Sequence, residues 1–273
     1  MTYRELFVRL KTALADRDNG EREISWLIEA FAGRSLIDID PEDEVERPAC
    51  YEAAIKRLEA RQPFQYVVGS QSFYGGVFIV NSSVLVPRFE TELLVDLAVK
   101  WGKGRALKAL DLCTGSGCIA ISLAKNLNGS FRGIDISKDA LVVAEKNNLL
   151  NVTDVDFTYS DLFSCLAKEE TFDLITANPP YLTEKEMTKI PPEVTYEPAI
   201  ALDGGLNGLF TIERILKEIA DRLNENGLFL MEIGENQGAS VLSLAERYQL
   251  NSGDIVKDFN GKERIFRYQK TKP

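Results

Sequence analysis

Histidine is absent from the 273 residues of the chain, and that single absence removes several mechanisms. No imidazole can serve as a general base, as the partner of a nucleophilic serine or cysteine, or as a metal ligand. Cysteine is scarce as well. Cys50, Cys113, Cys118 and Cys165 form no CxxC pair, and two of them merely flank a glycine-rich turn. That spacing gives no zinc site, and so few thiols in a long chain read as reduced cysteines of a cytoplasmic protein. Long apolar runs are lacking too, and the first residues, MTYRELFVRLKTALADRD, are charged throughout. The expectation is neither a cleaved leader nor a membrane span. Positive charge is in the minority, 32 Lys and Arg against 42 Asp and Glu for a net of −10, which disfavours sequence-independent attachment to nucleic-acid phosphates.

With 45% hydrophobic and 27% charged residues, the composition is that of a folded chain. Its length suits one large domain with a small companion. Residues 1–62 read as a helical domain. Leu6, Leu10 and Leu14 make one apolar stripe, Ile24, Leu27, Ile28 and Phe31 a second, and Pro48 suits the first turn of a third helix through Tyr51, Ile55 and Leu58. Between them Asp38 to Glu46 carries six acids and no base, which reads as a solvated loop. Residues 63–87 are rich in aromatic and β-branched residues broken at Gly75-Gly76, and predict a β-hairpin linker. Residues 88–273 alternate short apolar strands (109–112, 131–134, 156–159, 172–177 and 228–233) with helices (90–100, 119–126, 138–149 and 209–223). This alternation predicts an α/β fold with a mostly parallel, Rossmann-like sheet, whose ligands bind at the carboxyl ends of the strands.

Two strand ends carry chemistry. After the first strand comes Asp111-Leu112-Cys113-Thr114-Gly115-Ser116-Gly117, opening a helix, and Asp135 follows at the next strand end, 20 residues beyond Gly115. Glycines there let the backbone approach a ligand, and the acid is placed to accept both hydroxyl hydrogens of a ribose; the alternative role for Asp135 is a helix N-cap. The third glycine of a dinucleotide site is missing, and so is a phosphate-binding GKS/T loop. A carboxylate at Asp111 would repel a pyrophosphate and attract a cation, which fits the sulfonium and ammonium of S-adenosylmethionine.

The second strand end is Asn178-Pro179-Pro180-Tyr181. Two prolines make a rigid loop with free carbonyl acceptors. A planar NH2 group could donate one hydrogen to the Asn178 side-chain oxygen and the other to the Pro179 carbonyl, with Tyr181 as an aromatic face to stack on. Such acceptors orient a weakly nucleophilic amide nitrogen at a methyl group and favour the positive charge developing on it, so no base is needed.

With these residues the chain resembles the class I S-adenosylmethionine-dependent methyltransferases that carry an NPPY motif, and among them the release factor glutamine N5-methyltransferase (PrmC/HemK) family. Further matching segments are Gln65 to Gly69 with Phe73, Val86-Pro87-Arg88-Phe89-Glu90-Thr91-Glu92, Glu197-Pro198 with Ala201-Leu202-Asp203-Gly204-Gly205, and Glu232-Ile233-Gly234 with Gln237. The resemblance implies a helical N-terminal domain for partner recognition, a hairpin linker and a Rossmann-like transfer domain. It implies that Cys113, Thr114, Gly115, Ser116 and Gly117 line the methionine end of the cofactor, that Asp135 holds its ribose, and that Asp161 and Leu162 border its adenine. Asn178 and Pro179 would grip the glutamine amide of a release factor's Gly-Gly-Gln loop, with Pro180 completing the loop and Tyr181 packing against it. S-adenosyl-L-homocysteine would be the product, translation termination the process, and no metal is expected. Two residues depart from the family pattern: Cys113 stands where glycine is usual and Phe89 where proline is usual. Rival readings are a ribosomal-protein glutamine, an exocyclic amine of a nucleic-acid base, and a non-catalytic cofactor-binding protein.

Overall fold

In a computed structural model that describes residues 1–15 and 20–271, the chain forms two units. One comprises Met1–Ser70 together with Pro191–Tyr196, the other Gln71–Ile190 with Glu197–Pro273.

The first unit is helical: α1 (Tyr3–Ala13), α2 (Gly20–Ala32), α3 (Pro48–Glu59) and α4 (Phe64–Val68). Thr2 and Glu5 close a capping box at the start of α1, and Pro48 occupies the first turn of α3, where a missing N–H costs nothing. The apolar stripes meet in one core, with Leu6, Leu10, Leu27 and Leu58 wholly buried, each burial contributing roughly 1.5–3 kcal/mol. Residues 64–68, expected as extended chain, are helical. Pro63 precedes the turn and Gly69, at φ 86°, ends it, so local capping outweighs β-branched composition. A distant segment joins this unit: Tyr196 donates its hydroxyl to the Ala60 carbonyl at 2.5 Å, and Arg61 pairs with Glu193 at 2.8 Å.

Next along the chain come β1 (Ser70–Phe73) and β2 (Gly76–Ile79), a two-stranded hairpin. They are followed by α5 (Glu92–Gly102), β3 (Ala106–Leu112), α6 (Cys118–Asn126), β4 (Asn128–Asp135), α7 (Lys138–Asn151), β5 (Val155–Tyr159), β6 (Phe172–Ala177), α8 (Glu184–Met187), α9 (Phe210–Arg222), β7 (Leu223–Glu232), α10 (Gly238–Arg247), β8 (Asp254–Lys257) and β9 (Glu263–Gln269). Seven strands form one sheet in the order β5-β4-β3-β6-β7-β9-β8. β5 through β7 are mutually parallel, while β9 runs antiparallel to both β7 and β8. The last two strands were not expected from the sequence, although Ile265, Phe266 and Tyr268 make a short β-prone apolar run between Arg264 and Gln269.

Strand alternation sends Leu110, Leu112, Ile175, Phe229 and Met231 into the core under α9 and α10. It sends Leu107, Ala109, Leu174, Leu228 and Leu230 to the opposite face, under α5 and α6. Asn147 of α7, completely buried, fastens the hairpin to the sheet. Its oxygen accepts from Ile79 N at 2.6 Å, and its Nδ2 donates to the carbonyls of Ile79 at 3.1 Å and Ser116 at 2.9 Å.

Candidate active site

The chain runs outward from β3 to β5 and then returns to the other side of β3 at β6, so the strand order reverses between β3 and β6. Leu112 is paired with Ala177 across that junction, which makes the Cys113 turn and the Asn178 loop leave the sheet side by side. A cavity of about 300 Å³ opens there, as expected at the switch point of a doubly wound sheet.

One wall is the glycine-rich turn. Cys113 at φ 56°, Gly115 at φ 55° and Gly117 at φ 79° all take left-handed conformations. A Cβ on Gly115 would meet nothing within 4 Å, whereas one on Gly117 would lie 2.8 Å from the Phe157 ring. Gly115 therefore borders open cavity and Gly117 a packed helix contact. Asp135, at the end of β4, accepts from Gly115 N through Oδ2 and from Ser137 N through Oδ1, both at 2.8 Å. Burial pushes its carboxyl above the usual range, against the pull of those amides. Ser137 caps α7 by accepting from Ala140 N at 3.2 Å, so the N-cap role considered for Asp135 belongs to its neighbour. Asp161 and Leu162 continue this wall. Arg214 donates to Asp161 Oδ2 at 2.9 Å, and Leu162 is held at φ 50°.

Asp111 departs from expectation. It is 1% exposed and does not line the cavity. Its oxygens accept the hydroxyls of Thr114 at 2.6 Å and Thr176 at 2.7 Å. Burial pushes its carboxyl up to about 7, against those two hydroxyls. Asp111 therefore ties β3, the turn and β6 together from behind instead of attracting a cation.

The opposite wall carries Asn178 and Pro180, while Pro179 is buried and Tyr181 stands behind the cavity surface. The Tyr181 hydroxyl donates to Glu232 Oε1 at 3.3 Å and its ring packs on the core beneath α9 and α10, so the structure gives it a bracing contact and no open face in the cavity. Several segments hold this loop. Leu182 N donates to the Leu202 carbonyl at 2.9 Å and Gly204 N to the Leu182 carbonyl at 2.8 Å. Gln237 Nε2 donates to the Tyr181 carbonyl at 2.9 Å. Thr91 lines the cavity beside Asn178, and buried Glu197 accepts from Arg88 at 2.6 Å and from Val86 N at 3.2 Å. Sequence reasoning assigned no role to Thr91, Arg214, Glu197 or Glu232. Thr91, Glu197 and Glu232 do lie in segments that match the family pattern, and Glu232 is a lone acid closing the apolar run Leu228 to Met231.

The cavity fits a nucleoside carrying a cation better than one carrying phosphates. Asp135, Asp161 and Asp203 line it, and its two guanidiniums, Arg88 and Arg214, are already paired with Glu197 and Asp161. Among the described residues no cluster of His, Cys, Asp and Glu could hold a metal ion.

A family model of the methyltransferase domain matches residues 103–263. The release factor glutamine methyltransferase of Flavobacterium psychrophilum is 35% identical over 97% of both chains. The chain belongs to the release factor glutamine methyltransferase family. A ribosomal protein uL3 glutamine methyltransferase from Xanthomonas campestris is 39% identical over 70% of this chain and 63% of its own. Among solved structures, a T. thermophilus 16S rRNA N2 G1207 methyltransferase in complex with AdoMet and guanosine superimposes with a TM-score of 0.55 at 18% identity, covering 74% of this chain and 49% of that one. That likeness establishes the Rossmann-like methyltransferase fold for the family member described here. No helix among the described residues is long and apolar enough to cross a membrane.

Proposed function

We propose that the protein transfers a methyl group from S-adenosyl-L-methionine to the side-chain amide nitrogen, N5, of the glutamine in the Gly-Gly-Gln motif of peptide chain release factors. The observation that carries this reading is Asn178 on the cavity wall facing a glycine-rich turn and Asp135, in a chain of this family. Bound in that cavity, the cofactor would supply an electrophilic methyl on a sulfonium and would leave as S-adenosyl-L-homocysteine. Cys113 to Ser116 would border its methionine portion, Asp135 would accept the two ribose hydroxyls, and Asp161 with Leu162 would flank its base. Gly117 and Asp111 support that turn from behind.

On the acceptor side, Asn178 Oδ1 and the Pro179 carbonyl would take the two hydrogens of the glutamine amide. That fixes the nitrogen toward the methyl and stabilises the positive charge developing on it in a water-poor site. The methylated nitrogen is strongly acidic, so its proton passes to water without a protein base, consistent with a chain that has no histidine. Tyr181 would act by bracing the loop. In this reading residues 1–62 recognise the partner, 63–87 connect, and 88–273 carry out transfer, in the cytoplasm where translation ends.

Incubating purified protein with S-adenosylmethionine and a release factor, then mapping the product by mass spectrometry, tests the proposal. One added methyl on the Gly-Gly-Gln glutamine is the expected result. The uL3 relative motivates ribosomal protein as a parallel substrate. Methyl on that protein or on RNA, with none on the release factor, would overturn the reading.

A further inference from the structure

A carboxamide presents an oxygen on one side and an NH2 on the other, and the two ends have nearly the same shape. The function proposed above needs the oxygen of Asn178 toward the acceptor amide, and this inference rests on that reading. Sequence leaves open what prevents the amide from turning over.

In the structure Asn178 Nδ2 lies 3.3 Å from Thr91 Oγ1. Thr91 Oγ1 in turn lies 2.6 Å from Glu232 Oε2. Thr91, at the cavity wall, is 2% exposed and Glu232, behind it, 1%. Glu232 also takes the Tyr181 hydroxyl on its other oxygen; burial raises its carboxyl, while the Thr91 hydroxyl, Arg264 and the Tyr181 hydroxyl pull it back toward the charged form and Glu90 opposes them. With a hydroxyl proton directed at each of its two oxygens, Glu232 is the acceptor in both contacts. Thr91 has one hydroxyl proton, and the short contact to Glu232 commits it there. Toward Asn178, the threonine oxygen can then only accept. The amide must turn its NH2 to Thr91, which leaves Oδ1 for the cavity.

We infer that Glu232 and Thr91 form a directional relay whose role is to set the orientation of the Asn178 amide, Glu232 taking the proton of Thr91 and Thr91 taking a hydrogen of Asn178. Reversing the amide requires Thr91 to donate to Asn178 Oδ1, which strips a buried carboxylate of a donor and is strongly disfavoured. Neither Thr91 nor Glu232 touches the reacting atoms; both are positioning residues. Their separation in sequence from Asn178 is large, and α5 and β7 bring them together because Glu232 shares the face of Leu228 and Leu230, the face on which α5 packs.

Three variants test the relay. Thr91→Val keeps the shape and removes the hydroxyl; Thr91→Ser keeps the hydroxyl; Glu232→Gln keeps the volume but can donate as well as accept. Thr91→Val is expected to lower kcat by roughly 10- to 100-fold, with the KM for release factor and the Kd for S-adenosylmethionine within about threefold of wild type, since one preorganised acceptor is being disordered. Thr91→Ser recovers most of the turnover, and Glu232→Gln falls between. A direct readout needs no turnover: in the 15N spectrum of Asn178-assigned protein, the side-chain NH2 pair shifts and loses exchange protection in Thr91→Val and keeps its position in Thr91→Ser. An unchanged Asn178 NH2 signal in Thr91→Val, or a kcat within twofold of wild type, overturns the relay. If Thr91→Val does not fold, Glu232→Gln with wild-type kcat and an unchanged signal overturns it equally. Wild-type protein that methylates no release factor refutes the proposed function instead, and the relay is then decided by the NH2 signal alone.

Discussion

On the turn side of the cavity, the bonds that shape the wall are main-chain donors meeting one nearby carboxylate: Asp135 holds Gly115 and Ser137, 20 and 2 residues away. On the acceptor side the bonds run between side chains far apart in sequence: Thr91 to Glu232 across 141 residues, Arg88 to Glu197 across 109, and Asn178 to Thr91 across 87. The glycine-rich turn and Asp135 need only the one βαβ unit β3–α6–β4, with Arg214 on Asp161 the long-range side-chain bond on that wall. The second wall exists only after the whole sheet is in register, because buried side-chain bonds of that reach depend on packing from several elements. Damage to the two walls should therefore read out in different parameters.

Asn178→Ala gives the largest expected effect. Turnover should fall by roughly 100-fold or more, the scale for removing a preorganised polar contact at the reacting centre. Calorimetric affinity for S-adenosylmethionine should stay within about threefold. Equal losses in both would erase the distinction between the walls.

The opposite pattern is expected for Asp135→Ala. Removing a charged acceptor should weaken cofactor binding by roughly 10- to 100-fold, the equivalent of about 1.5–3 kcal/mol. With cofactor at saturation, kcat should return to within a few-fold of wild type. A kcat loss that saturation does not repair would show that the turn also positions the acceptor.

Asp111 gives a smaller effect, and one on stability. With its carboxyl raised to about 7, the native state keeps a proton that the unfolded chain releases near pH 4. The native state thus binds more protons across that window, and this group's contribution is fully present below pH 4 and lost as pH rises through 7. Its share of the slope reaches at most about 1.4 kcal/mol per pH unit. Urea unfolding of Asp111→Asn at pH 5 and pH 7 should show a flatter dependence than wild type; parallel profiles would contradict the assignment.

The smallest change is expected for Cys113→Gly. A side chain at φ 56° costs roughly 1–2 kcal/mol, and glycine's extra chain entropy returns about half of that. A Tm rise of about 1–3 °C by calorimetry would follow, and a fall would mean that the thiol's packing on the core outweighs the strain.

Much of the first wall was legible in the sequence because its signals are contiguous. Strand, Gly115, Gly117 and Asp135 sit within one βαβ stretch. The Asn178 loop was legible for the same reason, as two prolines at a strand end. Asp111 was misread because polarity alone does not say which way a strand residue points; two threonines, one on the turn and one on β6, had claimed it. Residues 64–68 were misread because a proline and a left-handed glycine close one helical turn regardless of the β-branched residues between them. The segment 191–196, which joins the helical unit, has no sequence signal at all.

Strand–helix alternation, candidate ligand loops after strands ending at Leu112, Asp135 and Ala177, and transfer chemistry without imidazole are all written in the linear chain. These follow from local propensity, hydrophobic period and residue inventory. Packing across the sheet settles which hydroxyls Asp111 accepts, which carboxylate meets Thr91, and hence which end of the Asn178 amide turns to Thr91. Those are questions of direction and proton ownership among buried groups, and they have no answer until packing removes water and leaves each donor a single acceptor.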